Sequence, residues 1–263
     1  MSDHYAELLM YVAPAAVHQA NQAWLTRIFE RLNLNRRNAD HLDLKGLWLA
    51  PELLVTQTCG YPLMTQLRGK VRVIGRPRYE LAHSRQGEHC SLLLTRDDTP
   101  RTQLADFYDS RGVINGHDSN SGMNLLRERL APLHRKGRFF ASVGISGAHR
   151  ESLRWLREGR ADLAAIDSVT YDYFARFAEE EVAELRIITH SAPSPTLPFI
   201  GALHLNDEQA AHIRDVMNQA LQDLPHVVET LGIQAVLPAS DDDYQVLLGY
   251  QQTAADAGYP HLR

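Results

Sequence analysis

The stretch SGAHRESLRWLREGRADLAAIDSVTYDYF, residues 146–174, decides the fold class. Its first part places Leu153 and Leu156 on one face of a helix, and Gly159 is typical of the position just after a helix ends. The apolar run 161–167 has the length of a buried strand, and a helical pattern resumes after it. Helix, strand and helix in succession predict βαβ units, in which helices cover a sheet.

The same alternation runs outward in both directions. Further strands are predicted at residues 8–14, 53–58, 70–75, 90–95, 111–116, 138–146, 184–191 and 199–205. Between them lie helical patterns, including one that buries Trp24 and Ile28 and a long one that begins near Asn206. Gln209, three residues after Asn206, would complete a capping box. The sequence therefore predicts an α/β fold built on mostly parallel sheets with flanking helices.

Two connectors indicate how the chain divides. The segments CSLLLTRDDTP (90–100) and ITHSAPSPTLPF (188–199) each join a strand to a polar stretch with proline. They bracket a central block of about one hundred residues, a typical size for a domain. We therefore predict two lobes, lobe 1 from residues 1–94 plus 193–263 and lobe 2 from residues 95–192. A cleft between two such lobes is a common ligand site, and it can close by hinging.

Composition excludes several classes of partner. The chain has 263 residues, of which 44% are hydrophobic, and 27 basic against 32 acidic side chains give a net charge of −5. This balance argues against nucleic acid as a partner. No apolar run approaches the ~20 residues of a membrane span, so membrane insertion is not expected.

The compartment is inferred from the start of the sequence and from the cysteines. No signal peptide or lipid-attachment cysteine is recognisable near residue 1, so the chain as written is expected to be cytoplasmic. A leader preceding this sequence would make it periplasmic. Cys59 and Cys90 are expected to be reduced thiols rather than a disulfide, because a core of this size needs no covalent cross-link.

The segment HDSNSGMNLLRERL, residues 117–130, suggests an anion site. Ser119, Asn120 and Ser121 would occupy the turn and the first positions of a helix, where backbone N–H groups lack acceptors and the helix dipole is positive. A phosphate-like oxyanion could accept hydrogen bonds from these groups, and Gly122 would leave room for its close approach. The alternative is plain capping, since serine and asparagine are preferred N-caps.

Other strand ends also carry polar side chains. His149 lies at a second helix start and could donate to an anion, although it could equally be a partly exposed histidine. An aspartate beside an anion would have to accept a hydrogen bond from a protonated or amine-bearing ligand, or else merely cap a helix. The remaining candidates, each placed by prediction at the end of a strand, are Tyr11, Gln57, Thr58, Asp167 and Ser168. We expect the two helix starts to face a shared crevice from opposite halves of the molecule.

Four motifs resemble one family. TQTCGYPL (56–63), DSNSGMNLLR (118–127), the stretch 146–174 and PSPTLPF (193–199) are similar, in this order, to the phosphate/phosphonate-binding family of ABC-transporter substrate-binding proteins. The family's Ser-Thr-Ser-Gly-like turn corresponds to Ser119-Asn120-Ser121-Gly122, where an amide replaces a hydroxyl. Its Asp-Ser pair corresponds to Asp167-Ser168.

The resemblance implies a two-lobe type II periplasmic-binding-protein-like fold with a ligand cleft between the lobes. It also implies non-catalytic binding of phosphate, a phosphonate or a related phosphorylated compound, without cofactor or metal. The protein would be a solute-binding component that meets an ABC transporter permease, or a cytosolic sensor-like relative with a signalling partner.

A serine hydrolase is the enzymatic alternative. The segment GISGA (144–148) approximates the nucleophile-elbow motif of serine hydrolases, with Ser146 as nucleophile and His190 or His204 as base. No carboxylate partner can be assigned, and the binding family accounts for the same residues. Metal catalysis and nucleotide binding lack their motifs, because neither an H-E-x-x-H nor a P-loop is present.

Overall fold

The computed structural model describes residues 3–263, which form two compact units. Unit 1 contains the residues up to Glu88 and Pro195–Tyr244, and unit 2 contains His89–Ser194 and Gln245–Arg263. The chain thus passes from one unit to the other three times. The predicted division differs from this at three places. Unit 2 begins at residue 89 rather than 95, the chain returns to unit 1 at residue 195 rather than 193, and the C-terminal segment belongs to unit 2 rather than to lobe 1.

Strands and helices alternate through much of residues 3–263, as predicted, but β4 to β6 and β10 to β12 follow one another without a helix between them. The strands are β1 (Asp3–Glu7), β2 (Asn35–Arg37), β3 (Leu53–Gln57), β4 (Val71–Tyr79), β5 (Glu88–His89), β6 (Ser91–Arg96), β7 (Arg111–Ile114), β8 (Ser142–Ile145), β9 (Leu163–Asp167), β10 (Leu185–His190), β11 (Ser194–Pro195), β12 (Phe199–Ala202) and β13 (Ile233–Leu237). The α-helices are α1 (Ala15–Leu32), α2 (Leu44–Trp48), α3 (Gly60–Pro62), α4 (Leu125–Leu130), α5 (His149–Arg157), α6 (Ser168–Phe177), α7 (Asp207–Asp223), α8 (Pro225–Leu231) and α9 (Gln245–Asp256). Short π-helical turns cover Leu63–Leu67 and Asn120–Asn124, and 3-10 turns cover Leu104–Phe107, Ala131–Leu133, Glu179–Glu181 and Asp241–Tyr244.

Unit 1 is built on a six-stranded sheet in the order β13-β4-β12-β3-β1-β2. Helix α1 buries its apolar face, and the indole of Trp24 meets the ring of Phe199 edge-on at 5.6 Å between centroids. The indole N–H donates to the carbonyl of Met217 at 3.1 Å, so this large side chain is both packed and satisfied. The predicted capping box of α7 is confirmed, with Asn206 and Gln209 hydrogen-bonded reciprocally at 2.8 and 2.9 Å.

Unit 2 is built on a five-stranded sheet in the order β10-β6-β9-β7-β8. Strand β7 runs parallel to β8 and β9, whereas β6 is antiparallel to β9 and β10. In unit 1, β12 is likewise antiparallel to both β3 and β4. The prediction of mostly parallel sheets is therefore wrong. Strands β6 and β12 directly follow a passage between the units, with no crossover helix before them, and only such a crossover returns the chain in the parallel sense.

The first strand was predicted at the wrong place. It is Asp3–Glu7, and residues 8–14 form an irregular connection that ends in a cis peptide bond between Ala13 and Pro14. The prediction assumed that this apolar run is buried, but Leu9 and Val12 are exposed, at 42% and 47%. A buried strand would have hidden them.

Candidate functional site

The helix start at residues 119–122 is a capped one. The hydroxyl of Ser119 accepts a hydrogen bond from the backbone N–H of Gly122 at 3.0 Å, which satisfies one of the free N–H groups of the first turn. The capping interpretation therefore holds for Ser119. The first turn, Asn120–Asn124, is π-helical and leads directly into α4.

Gly122 is required by the protein itself. A Cβ at this position would clash with the side-chain oxygen of Asn115 and would also crowd the hydroxyl of Ser119. This clash gives a reason within the protein for glycine at this position, and the role of Gly122 beside a ligand stays a prediction.

Ser121 and His149 come together. The Ser121 hydroxyl lies 3.0 Å from Nε2 of His149, the first residue of α5. Both helix starts belong to unit 2, so the expectation that they lie in opposite halves of the molecule is wrong. The loop after β7 and the loop after β8 meet here because these strands are parallel neighbours.

His149 is neutral at physiological pH. Burial lowers the pKa of its imidazole from 6.5 to about 4, helped by His89 and opposed by the negative charge of Asp167. A neutral imidazole has one donor and one acceptor nitrogen. Since Nε2 meets a hydroxyl, which can either donate or accept, the Ser121–His149 pair can reverse its polarity to suit a ligand.

The Asp167 carboxylate contacts Thr170 and His89, both in unit 2. Its carboxylate accepts from the backbone N–H of Thr170 at 3.0 Å, which caps α6, and its other oxygen lies 2.8 Å from Nδ1 of His89. The aspartate is only 2% exposed. Burial opposes ionisation, but the nearby His89, His149 and the Thr170 N–H together hold the pKa of Asp167 below its usual value. The capping interpretation is confirmed, and the carboxylate is paired with a histidine.

Sequence reasoning missed His89 and Ser91. Strand β6 lies beside β9 with Ser91 opposite Asp167, and this pairing carries His89 to the carboxylate. The Ser91 hydroxyl donates to the carbonyl of Ser121 at 2.8 Å, so it fixes the helix start to the sheet. The only available signal was polarity at a strand start, which does not reveal the pairing partner.

Ser168 makes a structural hydrogen bond with Cys90, and the structure also shows the state of both cysteines. The buried Ser168 hydroxyl accepts from the backbone N–H of Cys90 at 3.1 Å, which ties the start of α6 to β6. Cys59 and Cys90 are not joined by a disulfide. Burial raises the pKa of the Cys90 thiol to about 11, against the effect of its hydrogen bond with Ser168, so the thiol stays protonated at neutral pH.

The candidates in unit 1 form their own arrangement. The Gln57 amide donates to the carbonyl of Leu197 at 3.1 Å, and the Thr58 N–H donates to that of Pro198 at 3.2 Å. Both residues are buried, and together they fasten the end of β3 to the segment before β12. Tyr11 lies in the connection after β1, not at a strand end, and its ring meets that of Tyr79 edge-on.

Ser146 has the surroundings of a structural serine. Its hydroxyl donates to the carbonyl of Ala148 at 3.0 Å and lies 2.7 Å from the hydroxyl of Ser152. Within residues 3–263, neither a histidine nor a carboxylate is a hydrogen-bond partner of Ser146. These contacts give the hydrolase alternative no support, because a nucleophile requires a base within hydrogen-bond distance.

Residues 3–263 contain neither a membrane-spanning helix nor a cluster of metal ligands. None of its helices has both the length and the apolar character needed to cross a membrane. In the same residues, no group of three or more His, Cys, Asp and Glu side chains is arranged to hold a metal ion.

Solved structures share this fold. A binding protein component of an ABC phosphonate transporter from Pseudomonas aeruginosa has a TM-score of 0.78 at 13% identity, with 97% of this chain and 87% of that one covered. PhnD1 from Prochlorococcus marinus in complex with methylphosphonate has a TM-score of 0.74 at 9% identity, covering 96% and 98%. XAC2383 from Xanthomonas citri bound to ATP has a TM-score of 0.69 at 13% identity and is covered completely, as is this chain.

The fold is that of the type II periplasmic binding proteins, with two mixed α/β units. A search of curated proteins found no match. A family model described as ABC transporter, phosphonate, periplasmic substrate-binding protein matches residues 52–244. The chain belongs to this family, as the four motifs implied.

Proposed function

We propose that this protein binds a small oxyanion, namely phosphate, a phosphonate or a related phosphorylated compound, without transforming it. The observation that carries the proposal is the contact between Ser121 and His149 beside the Asp167–His89 pair. This cluster offers a hydroxyl and a neutral imidazole at two neighbouring helix starts, where partial positive charge accumulates.

The pairing of Asp167 removes an objection to an anionic ligand. A lone buried carboxylate would repel an oxyanion, but Nδ1 of His89 lies 2.8 Å from the Asp167 carboxylate and can donate a hydrogen bond to it. The ligand therefore need not carry an amine or keep a proton in order to bind near Asp167. This widens the range of oxyanions beyond what the sequence suggested.

Relatives support this ligand class. PhnD1 holds methylphosphonate and XAC2383 holds ATP, both of which present phosphorus-bound oxygens. We propose that this chain is the solute-binding component of an ABC transport system whose permease is its partner, with a periplasmic location. A cytoplasmic sensor-like relative with a signalling partner is the other form of the same proposal.

A ligand screen tests the proposal. Phosphate, methylphosphonate, aminoethylphosphonate, sulfate and ATP would each be added to the full chain while its melting temperature is measured. A true ligand at about a hundredfold excess over its Kd stabilises the bound state by about 2.7 kcal/mol, which is a rise of several degrees. Calorimetry would then give the Kd. Failure of every oxyanion to shift the melting temperature or release heat would contradict the proposal.

Two serine variants make the screen residue-specific. Ser121→Ala should weaken binding by about tenfold, because it removes one hydrogen bond to the ligand. Ser146→Ala is the matched control, since that hydroxyl is engaged by Ala148 and Ser152, and it should bind like the wild type. Equal affinity of Ser121→Ala and wild type would remove this cluster from the proposed site. Ester hydrolysis lost in Ser146→Ala would instead favour an enzyme.

A further inference from the structure

Within the described part of the chain, Arg127 is a buried cation without an ionic partner. It lies on α4, six positions after Ser121, and is only 5% exposed. Among the described residues no carboxylate forms a salt bridge with it, and its Nε is buried with no hydrogen-bond partner. A buried charge left unpaired opposes folding, so its presence in the core calls for a cause other than stability.

The guanidinium has two acceptors, both neutral. Its Nη2 donates to the side-chain oxygen of Asn124 at 2.6 Å, and its Nη1 donates to the carbonyl of Pro260 at 3.1 Å. The second contact fastens α4 to the C-terminal segment of unit 2. The first contact begins a chain of side-chain hydrogen bonds that leads back toward the helix start.

Arg127 determines which group donates and which accepts in this series of hydrogen bonds. A guanidinium group can only donate, so Asn124 must present its oxygen to it and its Nδ2 to the other side. That Nδ2 donates to the carbonyl of Leu247 at 3.0 Å and to the Asn120 oxygen at 3.2 Å. Asn120 must then direct its own Nδ2 outward, and it donates to the Ser194 hydroxyl at 2.9 Å. One cation thus orients two buried amides in series.

We propose that Arg127 is a positioning residue for the anion site, acting through Asn124. It holds Asn120 in a single amide orientation, with the donor side toward Ser194, and it adds an unneutralised positive charge behind the helix start. This rests on the proposed oxyanion function. The orientation of Asn120 matters because an amide has a donor end and an acceptor end that its neighbours must orient, whereas a hydroxyl at this position would rotate freely.

The first measurement needs no ligand. The side-chain amide signals of Asn120 and Asn124 would be followed by 15N NMR in the free full chain, assigned with Asn120→Asp and Asn124→Asp. In wild type, each amide should give one pair of signals that exchange slowly with water. In Arg127→Gln these signals should shift, broaden or double, because a glutamine amide can either donate to or accept from Asn124.

The second measurement uses methylphosphonate as the probe. Calorimetry should show affinity reduced by about tenfold or more in Arg127→Met, since Asn120 loses its fixed orientation and the positive charge behind the helix start is removed. Arg127→Lys keeps the charge and the donor, so it should retain most of the affinity. Arg129→Met is the matched control, two positions along the same helix, because Arg129 is exposed and its guanidinium donates to the Thr189 hydroxyl at 3.4 Å. If Arg127→Met does not fold, Arg127→Gln replaces it.

The two measurements separate the inference from the proposed function. Unchanged amide signals in Arg127→Gln, or wild-type affinity in the folded Arg127→Met or Arg127→Gln variant, would overturn the role of Arg127. Absence of methylphosphonate binding by the wild type, together with the expected change in amide signals, would leave the orienting role standing and count against the proposed ligand. A parallel loss in Arg129→Met would show a general effect of helix charge and overturn the assignment to Arg127.

Discussion

The polar strand ends of the two units are held in different ways. In unit 1, the Gln57 side-chain amide donates to the backbone carbonyl of Leu197, and the Thr58 backbone N–H donates to that of Pro198. In unit 2, Asp167 and Ser121 meet the rings of His89 and His149. The first arrangement contains no titratable group, and the second contains three.

This difference separates a fixed framework from an adjustable one. Neutral amide–carbonyl bonds keep the same strength across physiological pH. The buried Asp167 carboxylate and the imidazole of His149 have shifted pKa values, so they respond to pH and to any ligand that brings its own charge. We therefore expect substitutions in unit 2 to have larger and more pH-dependent effects than those in unit 1.

The largest effect is expected for Asp167→Ala. It removes the partner of a buried histidine and the cap of α6 together, so the free energy of unfolding should fall by about 3–5 kcal/mol at pH 7. Asp167→Asn, which can still accept from the Thr170 N–H, should lose clearly less. Urea unfolding measures both variants. A loss below about 1 kcal/mol in Asp167→Ala would show that the pair with His89 contributes little.

An intermediate effect is expected from the pH dependence of His149. The pKa of His149 is about 4 in the folded chain against 6.5 ordinarily. Between these values the unfolded chain binds a proton that the folded chain does not, so stability falls as pH falls. From pH 7.5 to 5.0 this histidine should account for a loss of about 1–2 kcal/mol.

His149→Gln should abolish that part of the slope, as measured by urea unfolding at the two pH values. The exposed His226→Gln serves as the control and should keep the wild-type slope. Asp167 does not confuse the result, because its lowered pKa places its own loss of stability below the usual aspartate range. A slope unchanged in His149→Gln would mean that the ring is solvated and free to protonate.

The smallest effect is expected in unit 1. Gln57→Leu removes the donor to the Leu197 carbonyl and should cost about 1 kcal/mol, equally at pH 7.5 and 5.0. Gln66→Leu, at an exposed position of the same unit, should cost less. A pH-dependent loss in Gln57→Leu would break the comparison between the two units, since no titrating group is involved in the bond that is removed.

Several elements could be read from local patterns because their causes are local. The capping box at Asn206 and Gln209 needs only the residues of one turn, and the amphipathic face of α1 repeats every three to four positions. The strand predicted at 8–14 failed because an apolar run does not say whether it pairs, and Leu9 faces solvent. Local sequence patterns also did not predict that both sheets contain parallel and antiparallel strands. Strand direction depends on where the chain enters each unit, which a local pattern does not show.

The candidate site shows the same limit. The sequence identified Ser121, His149 and Asp167 from their positions at strand ends and helix starts, which is a property of each segment alone. The sequence did not identify His89 or Arg127, because their partners are distant along the chain. His89 pairs with Asp167, 78 residues away, and Arg127 contacts Pro260, 133 residues away. Local propensity and motif order thus determined the family and most elements. Only the folded chain decided which charges are paired, because pairing follows from strand register and burial.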